Sequence, residues 1–134
     1  MRQKVTVSCR AKEKATTIAP PLGEQNPKEL LLCSAAQCAL LTLRSIIEKE
    51  RITPKHIDVE ICGDLDTPTV TGQSQFTKFY VTYRIECNTI DEQDKIGRAV
   101  RLTNDKYCGL IQMLRRIAPL SHEVSILSVE AVMA

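Results

Sequence analysis

The sequence predicts an α+β protein with an antiparallel sheet and a central buried helix, and three observations support that class. Several segments alternate apolar and polar residues, which is typical of half-buried strands. A long apolar segment follows Pro27, a residue type that suits the first turn of a helix. Two shorter segments with helical spacing lie within residues 89–117. At 134 residues the chain is expected to form a single domain spanning residues 1–134.

Four segments have the strand pattern, and their order frames the predicted sheet. They are residues 5–9, 57–61, 79–87 and 121–132. Residues 11–14 are expected to turn and 15–18 to pair back on the first strand, before the prolines and glycine of 20–23 break the chain. Residues 64–72 are polar and contain Pro68, which predicts a loop.

The central helix is expected to begin at Asn26, an N-cap followed by Pro27, and to run to about Arg51. Its first half is apolar on every face, which predicts burial on all sides. A single small sheet cannot cover such a helix, so residues 30–43 need a further covering surface. A second copy of the chain would supply it, which predicts an obligate symmetric homodimer whose interface resembles a divided hydrophobic core.

A capping box, Thr89-x-x-Glu92, predicts the start of a second helical region. Asn104 and Asp105 are expected to interrupt it, and a third helix then continues until Pro119 forbids extension. The buried stripe of this third helix is expected to consist of Tyr107, Leu110, Ile111, Leu114 and Ile117.

Composition argues against several classes of function. A net charge of +2 without a basic stripe, together with an aromatic fraction of 4%, disfavours nucleic-acid binding. Residues 1–7 lack the apolar core of a signal peptide. Residues 30–43 are interrupted by polar side chains and fall short of the roughly 18 apolar residues that a membrane span needs. We therefore expect a cytoplasmic protein without a membrane partner.

Six cysteines in a chain without an export signal predict free thiols rather than a disulfide framework. They lie at positions 9, 33, 38, 62, 87 and 108, with no Cys-x-x-Cys pair and only two histidines to accompany them. This spacing does not suit a zinc site, so neither a metal nor another cofactor is expected. Cys9, Cys62 and Cys87 are interpreted as small buried hydrophobes at strand ends.

Cys38 and Cys108 are the candidates for a redox pair, because each lies in a helical context that favours pairing over simple burial. A thiol that reduces a peroxide needs a second thiol to resolve the sulfenic acid that it becomes. Cys33 precedes Cys38 by five residues and is an alternative resolving thiol.

Two motifs carry a resemblance to a known family. The segment Asn26-Pro-Lys-Glu-Leu-Leu-Leu-x5-Cys38 and the segment Arg98-Ala-Val-x5-Lys106-Tyr-Cys108 resemble the OsmC/Ohr family of thiol peroxidases, and within it the OsmC-like branch. The resemblance runs from about Pro21 to the C-terminus. It implies an OsmC-like fold, in which an intertwined homodimer wraps strands of both subunits around two central helices. It also implies reduction of organic hydroperoxides or hydrogen peroxide, with Cys38 as the peroxidatic thiol, Cys108 as the resolving thiol and an external dithiol as reductant.

The resemblance further implies an arginine from the N-terminal strands and a glutamate ahead of the long helix, which together activate the peroxidatic thiol. The resemblance implies a glutamate ten residues before the peroxidatic cysteine. That position is Lys28 in this sequence, and Glu29 follows it, so Glu29 is the candidate glutamate. Arg10 is the candidate arginine. Each candidate has an alternative interpretation: Glu29 as a carboxylate that interacts favourably with the helix dipole, and Arg10 as a solvated turn residue. In that case Lys28 is the alternative source of positive charge near Cys38.

The sequence therefore leaves two functions open. The first is a thiol peroxidase whose Cys38 sulfenic acid condenses with Cys108. The second is an OsmC-fold dimer without peroxidase activity, which acts as a small-molecule-binding or thiol-sensing protein. The second function stays open because the sequence departs from the family's usual glutamate and arginine positions.

Overall fold

A computed structural model describes residues 2–12, 27–68 and 75–129 of the chain. The described residues form four strands, three α-helices and one π-helical turn. In chain order they are β1 (Arg2–Lys12), α1 (Pro27–Lys49), β2 (His56–Pro68), β3 (Gln75–Cys87), α2 (Glu92–Leu102), the π-turn (Thr103–Tyr107), α3 (Gly109–Ile117) and β4 (Leu120–Ser128).

The strands form one sheet in the order β1-β2-β3-β4, which confirms the α+β class. β1, β2 and β3 are antiparallel neighbours, whereas β4 lies parallel to β3. The α2, π-turn and α3 segments form the crossover that parallel pairing requires, because they return the chain to the end of the sheet where β3 began. The antiparallel arrangement therefore holds for three strands and not for β4.

β2 is longer than its alternation suggested. It continues to Pro68, so the loop predicted for 64–72 is wrong over its first half, where Leu65 is buried and pairs with β1. The turn predicted at 11–14 is likewise wrong for residues 11 and 12, because β1 extends to Lys12. Residues 13–26, with the predicted pairing of 15–18 and the Asn26 cap, lie outside the described residues, as do 69–74.

The predicted central helix is confirmed as α1, which ends at Lys49 in a Schellman motif. The Ile52 amide donates to the Ile47 carbonyl at 3.2 Å, and the Arg51 amide donates to the Glu48 carbonyl at 2.9 Å. Arg51 adopts the left-handed conformation that this motif needs, with φ 60°. The chain therefore leaves α1 sharply and enters β2 beneath it.

One face of α1 forms the centre of the core. Its buried residues are Leu32, Ala35, Ala36, Ala39, Leu40, Leu43 and Ile47. The opposite strip is exposed in a single chain and includes Leu30 and Leu41, which are 40% and 44% accessible. The prediction that α1 is buried on every side is thus not met within one chain, because the sheet covers one face only.

The predicted interruption at Asn104 is confirmed as the π-turn. The capping box at Thr89 is half formed: the Glu92 carboxylate accepts the Thr89 amide at 3.1 Å, while the helix itself begins at Glu92. Tyr107 and Ile117 are 54% and 53% exposed, so their predicted burial is wrong. The predicted burial of Ile111 and Leu114 is confirmed. The π-turn inserts a residue into the helical spacing, and the buried residue that precedes α3 is Cys108 rather than Tyr107.

Two of the six cysteines form a disulfide, which corrects the prediction of six free thiols. Cys9 of β1 and Cys33 of α1 are bonded, and their Cα atoms lie 5.0 Å apart. The Cys9 side chain meets a helix flank that lies 24 residues later in the sequence. Such a non-local meeting has no signature in residue spacing. Cys38, Cys62, Cys87 and Cys108 are free thiols.

By length and composition alone, α1 is apolar enough to cross a membrane, with a mean hydropathy of 1.8 over an 18-residue window. The length argument against a membrane span therefore does not hold. The same helix packs across the sheet as part of the core, with 39% of that window buried.

Gly63 should be intolerant of a side chain. A Cβ atom at this position of β2 would lie 2.5 and 2.8 Å from ring atoms of Phe76, whose ring also packs against Phe79. We expect Gly63→Ala to lower the free energy of unfolding by about 1–3 kcal/mol, measured by denaturant titration. Gly109→Ala is the matched control, because a Cβ there meets nothing within 4 Å. Equal stability of the two variants would contradict the packing described.

Candidate active site

The structure brings Cys38 and Cys108 together. The Cys108 thiol donates a hydrogen bond to the Cys38 sulfur across 3.1 Å, although the two residues are 70 positions apart in the sequence. Cys38 lies on one flank of α1 and is half-buried, while Cys108 immediately precedes α3 and is fully buried. Two thiols in contact at the edge of the core can form a disulfide with little movement.

The π-turn and α3 position Cys108. The amide of Cys108 donates to the Thr103 carbonyl at 3.0 Å, which closes the π-turn, and the Cys108 carbonyl accepts the Gln112 amide at 3.1 Å. Cys108 itself has an extended backbone (φ −80°, ψ 105°) between two helical segments. Its side chain therefore lies at the N-terminus of α3, where free amide groups favour negative charge.

The environment of Cys108 keeps it protonated. Burial raises the pKa of the Cys108 thiol to about 12, opposed by hydrogen bonds from the Ile111 and Leu110 amides and reinforced by the contact with Cys38. At neutral pH Cys108 is therefore a thiol and acts as the donor toward Cys38.

Asn104 anchors the π-turn, and its role was not apparent from the sequence. Its buried side chain accepts the Tyr83 hydroxyl at 2.8 Å and bonds the His122 ring at 3.2 Å. Its backbone carbonyl oxygen accepts hydrogen bonds from the side chains of Gln112 and Arg115, both at 2.9 Å. Burial raises the pKa of the Tyr83 phenol, so the hydroxyl remains a donor. This network joins β3, β4 and α3 to the turn that carries Cys108.

Arg10 lies elsewhere. Cys9 faces α1, so its neighbour Arg10 lies on the opposite face of the sheet, where its guanidinium pairs with the buried carboxylate of Asp58. Asp58 also accepts Arg84 at 3.1 Å and contacts the His56 ring at 3.2 Å. Within one chain, therefore, Arg10 belongs to a charge network on the far side of the sheet from the thiol pair.

Glu29 is also separated from Cys38. It lies in the first turn of α1, where an acidic side chain favours the helix dipole. Nine residues separate it from Cys38, which corresponds to about half a rotation around α1 and roughly 13 Å along its axis. Within one chain neither predicted activating residue is adjacent to the thiol pair.

An open groove lies along the second half of α1, and neither Cys38 nor Cys108 is among its lining residues. Its volume is about 650 Å³, and its walls come from the second half of α1 and from Leu102 and Tyr107. Thr42, one helical turn after Cys38, and Tyr107, which precedes Cys108 in the sequence, are among these lining residues. Leu41, Ile46 and Leu102 make its surface largely apolar, with Lys49 farther along. No group of three or more metal-binding side chains occurs among the described residues.

Comparison with known proteins gives one family and several similar structures. The sequence model of the family described as OsmC-like protein matches residues 21–123. The structure of an OsmC-like protein from Mycoplasma pneumoniae superposes with a TM-score of 0.64 at 17% identity, covering 95% of this chain and 97% of that chain. An OsmC-like hydroperoxide resistance protein from Jannaschia gives 0.62 at 16% identity, covering 84% and 87%.

The organic hydroperoxide resistance protein OhrB of Bacillus subtilis superposes with a TM-score of 0.52 at 14% identity, covering 89% of this chain and 98% of that chain. At these identities the structures show a shared fold. No curated protein sequence matches this chain.

The Asp58 network should make stability depend on acid pH. Burial raises the pKa of the Asp58 carboxyl, but the hydrogen bonds from its three partners outweigh burial and hold that pKa below its ordinary value. The folded state then binds fewer protons than the unfolded state, so this stabilisation is complete above about pH 4 and lost as the pH falls through the lowered pKa. Asp58→Asn should lower the free energy of unfolding by roughly 2 kcal/mol at pH 7, and this difference should shrink toward pH 2.

Denaturant titrations at several pH values would measure both effects. Asp91→Asn is the matched control, because the Asp91 side chain is exposed and forms no capping hydrogen bond. A difference between Asp58→Asn and the parent that is independent of pH would contradict the network as described.

Proposed function

The chain belongs to the OsmC-like protein family, and we propose that it is a thiol peroxidase that reduces hydroperoxides at Cys38. Family membership and the similarity of this chain to the structures of hydroperoxide resistance proteins support a peroxide-related redox role. The single observation that carries the more specific proposal is the contact of the Cys38 and Cys108 sulfurs at 3.1 Å. In this proposal Cys38 is the peroxidatic thiol and Cys108 the resolving thiol.

The proposed reaction has three steps. The Cys38 thiolate attacks the terminal oxygen of ROOH, which breaks the O–O bond and yields ROH and a Cys38 sulfenic acid. The Cys108 sulfur then attacks the sulfenic sulfur, which forms a disulfide and releases water. An external dithiol finally exchanges with that disulfide and restores both thiols. The net change is ROOH plus dithiol to ROH, water and oxidised dithiol.

The charges around the pair support the proposed roles. Cys108 is buried, and its pKa of about 12 keeps it a proton donor while Cys38 is reduced. Negative charge on Cys38 is one cause of that high pKa, and a sulfenic acid is neutral. Oxidation of Cys38 therefore removes one obstacle to deprotonation of Cys108. The resolving thiol becomes more reactive only after its target has formed.

The groove supports organic hydroperoxides as substrates. Its largely apolar walls begin within one helical turn of Cys38 and would take an alkyl or aryl group out of water. Hydrogen peroxide gains nothing from such a surface. We propose that organic hydroperoxides are preferred.

We also propose that the protein acts as a homodimer. The exposed strip of α1 presents Leu41, and the outward side of α3 presents Met113 and Ile117, which are 60% and 53% exposed. Apolar side chains concentrated on adjacent helices favour an interface between copies. The activating role predicted for Arg10 would then require Arg10 of a second copy, because its own chain directs it away from Cys38. That role, the role of Glu29 and a cytoplasmic location stay predictions.

The second candidate function is a thiol-sensing or small-molecule-binding protein of the same fold. The specific observation in its favour is that Arg10 and Glu29 do not adjoin Cys38 within one chain. A sensor would be oxidised once by peroxide but would not turn over with a dithiol. Repeated turnover therefore separates the two functions.

Peroxide consumption should depend on both thiols in different ways. With excess dithiol, we expect the purified protein to consume cumene hydroperoxide faster than hydrogen peroxide. Cys38→Ser should abolish consumption. Cys108→Ser should retain the first step and accumulate a Cys38 sulfenic acid, detected by a dimedone adduct, because nothing resolves it. Cys62→Ser, a change at a free thiol outside the pair, is the matched control and should behave like the parent. Full turnover by Cys38→Ser would overturn the proposal.

The dimer should depend on the exposed strip of α1. We expect the parent to sediment as a dimer at micromolar concentration, burying well over the roughly 2,000 Å² typical of larger obligate interfaces. Leu41→Glu places a charge on that strip and should shift the equilibrium toward monomer. Ile90→Glu makes the same change at a residue that is 53% exposed ahead of α2, outside both the exposed strip of α1 and the cluster around Arg10, and should leave sedimentation unchanged. A stable, folded parent monomer would contradict the dimer.

A further inference from the structure

The described residues hold two separate sulfur pairs on opposite flanks of α1. Cys33 bonds Cys9 of β1 on one flank, and Cys38 contacts Cys108 before α3 on the other. Five residues of helix separate Cys33 from Cys38, which corresponds to about 140° of rotation and about 7.5 Å along the axis. The Cys9–Cys33 disulfide is therefore not part of the proposed peroxide site.

This disulfide ties the edge of the sheet to the core helix. β1 is the terminal strand in the sheet order and pairs only with β2 among the described strands. The bond closes a loop that includes residues 13–26 and the start of α1. A cross-link of this kind restricts the unfolded chain and holds β1 against α1 in the folded one.

The two sulfurs differ in accessibility. Cys9 is buried, with 7% of its surface exposed, whereas Cys33 is half-buried on the flank of α1. Thiol–disulfide exchange needs an in-line approach of a thiolate to one sulfur. Cys33 is the more accessible of the two residues, so we expect a small thiolate to attack its sulfur and Cys9 to be the leaving group.

We propose that Cys9 and Cys33 form a second redox site, a reversible thiol–disulfide couple that clamps β1 to α1 and operates independently of Cys38 and Cys108. Its co-reactants are small thiols and disulfides. A dithiol reduces it: the dithiol's thiolate attacks Cys33, Cys9 leaves as a thiolate and takes up a proton, and the second thiol releases Cys33 as the dithiol closes into its cyclic disulfide. A small disulfide RSSR reoxidises the pair and leaves as two RSH. In the reduced state β1 keeps its packing, its backbone hydrogen bonds with β2 and the Arg10–Asp58 ion pair, but loses the covalent link to α1.

The first test counts and maps thiols. Protein purified without reductant and unfolded in an alkylating agent should yield four modified cysteines out of six, with Cys9 and Cys33 recovered as one linked peptide pair. Titration in mixtures of reduced and oxidised dithiol should then convert this pair in a single transition. The Cys38→Ser/Cys108→Ser double variant should show the same midpoint. Recovery of six thiols under mild oxidation, or a midpoint that moves in the double variant, would overturn the proposal.

The second test measures what the bond does to the fold. Reductant should lower the midpoint of thermal unfolding of the parent by on the order of 10 °C, to that of Cys33→Ser without reductant. Reductant should not move the Cys33→Ser midpoint further. Amide hydrogen exchange should accelerate in β1 on reduction of the parent and stay unchanged in β3. This measurement uses the parent protein only, so it gives a result even if Cys33→Ser folds poorly. Unchanged exchange in β1 would overturn the clamp. None of these measurements uses peroxide turnover, so they are independent of the proposed function.

Discussion

The packing of α1 across the sheet is the constraint on which the rest of the structure depends. Burial of Leu32, Leu40 and Leu43 against the strands fixes the rotation of the helix, and hence which side chains lie on its flanks. One flank then directs Cys33 toward β1, and the other directs Cys38 toward the start of α3. The hydrophobic effect that folds the domain therefore also places both sulfur pairs.

The position of Cys108, before α3, depends on a second structural feature. A regular helix from Glu92 to Ile117 would carry Cys108 with a different rotation. The π-turn supplies the correction, and the buried Asn104 holds it by bonds to Tyr83, Gln112 and Arg115. Irregular helical turns of this type often occur at functional sites. Here the turn delivers a buried thiol to the N-terminus of α3 and into contact with its partner.

Local sequence patterns predicted most of the helices and strands, but they did not predict contacts between residues that are distant in the sequence. Alternation revealed the cores of β2 and β3, and Pro27 with the apolar run revealed α1. The parallel pairing of β4, the Cys9–Cys33 bond and the Asn104 network all depend on residues distant in sequence. The pairing of Cys38 with Cys108 was predicted because a chemical requirement and a family resemblance joined two distant positions. Arg10 was chosen by proximity in sequence to the expected strand, and strand alternation placed it on the opposite face.

The central claim is that Cys38 and Cys108 act as one redox unit, and peptide mapping after a single equivalent of hydroperoxide tests it most directly. The reduced protein is mixed with one equivalent of cumene hydroperoxide, quenched with an alkylating agent and digested without reductant. The structure predicts one new disulfide, between Cys38 and Cys108, because their sulfurs already lie 3.1 Å apart. A new bond from Cys38 to Cys33, or oxidation spread over the other free thiols with Cys108 unmodified, would contradict the claim.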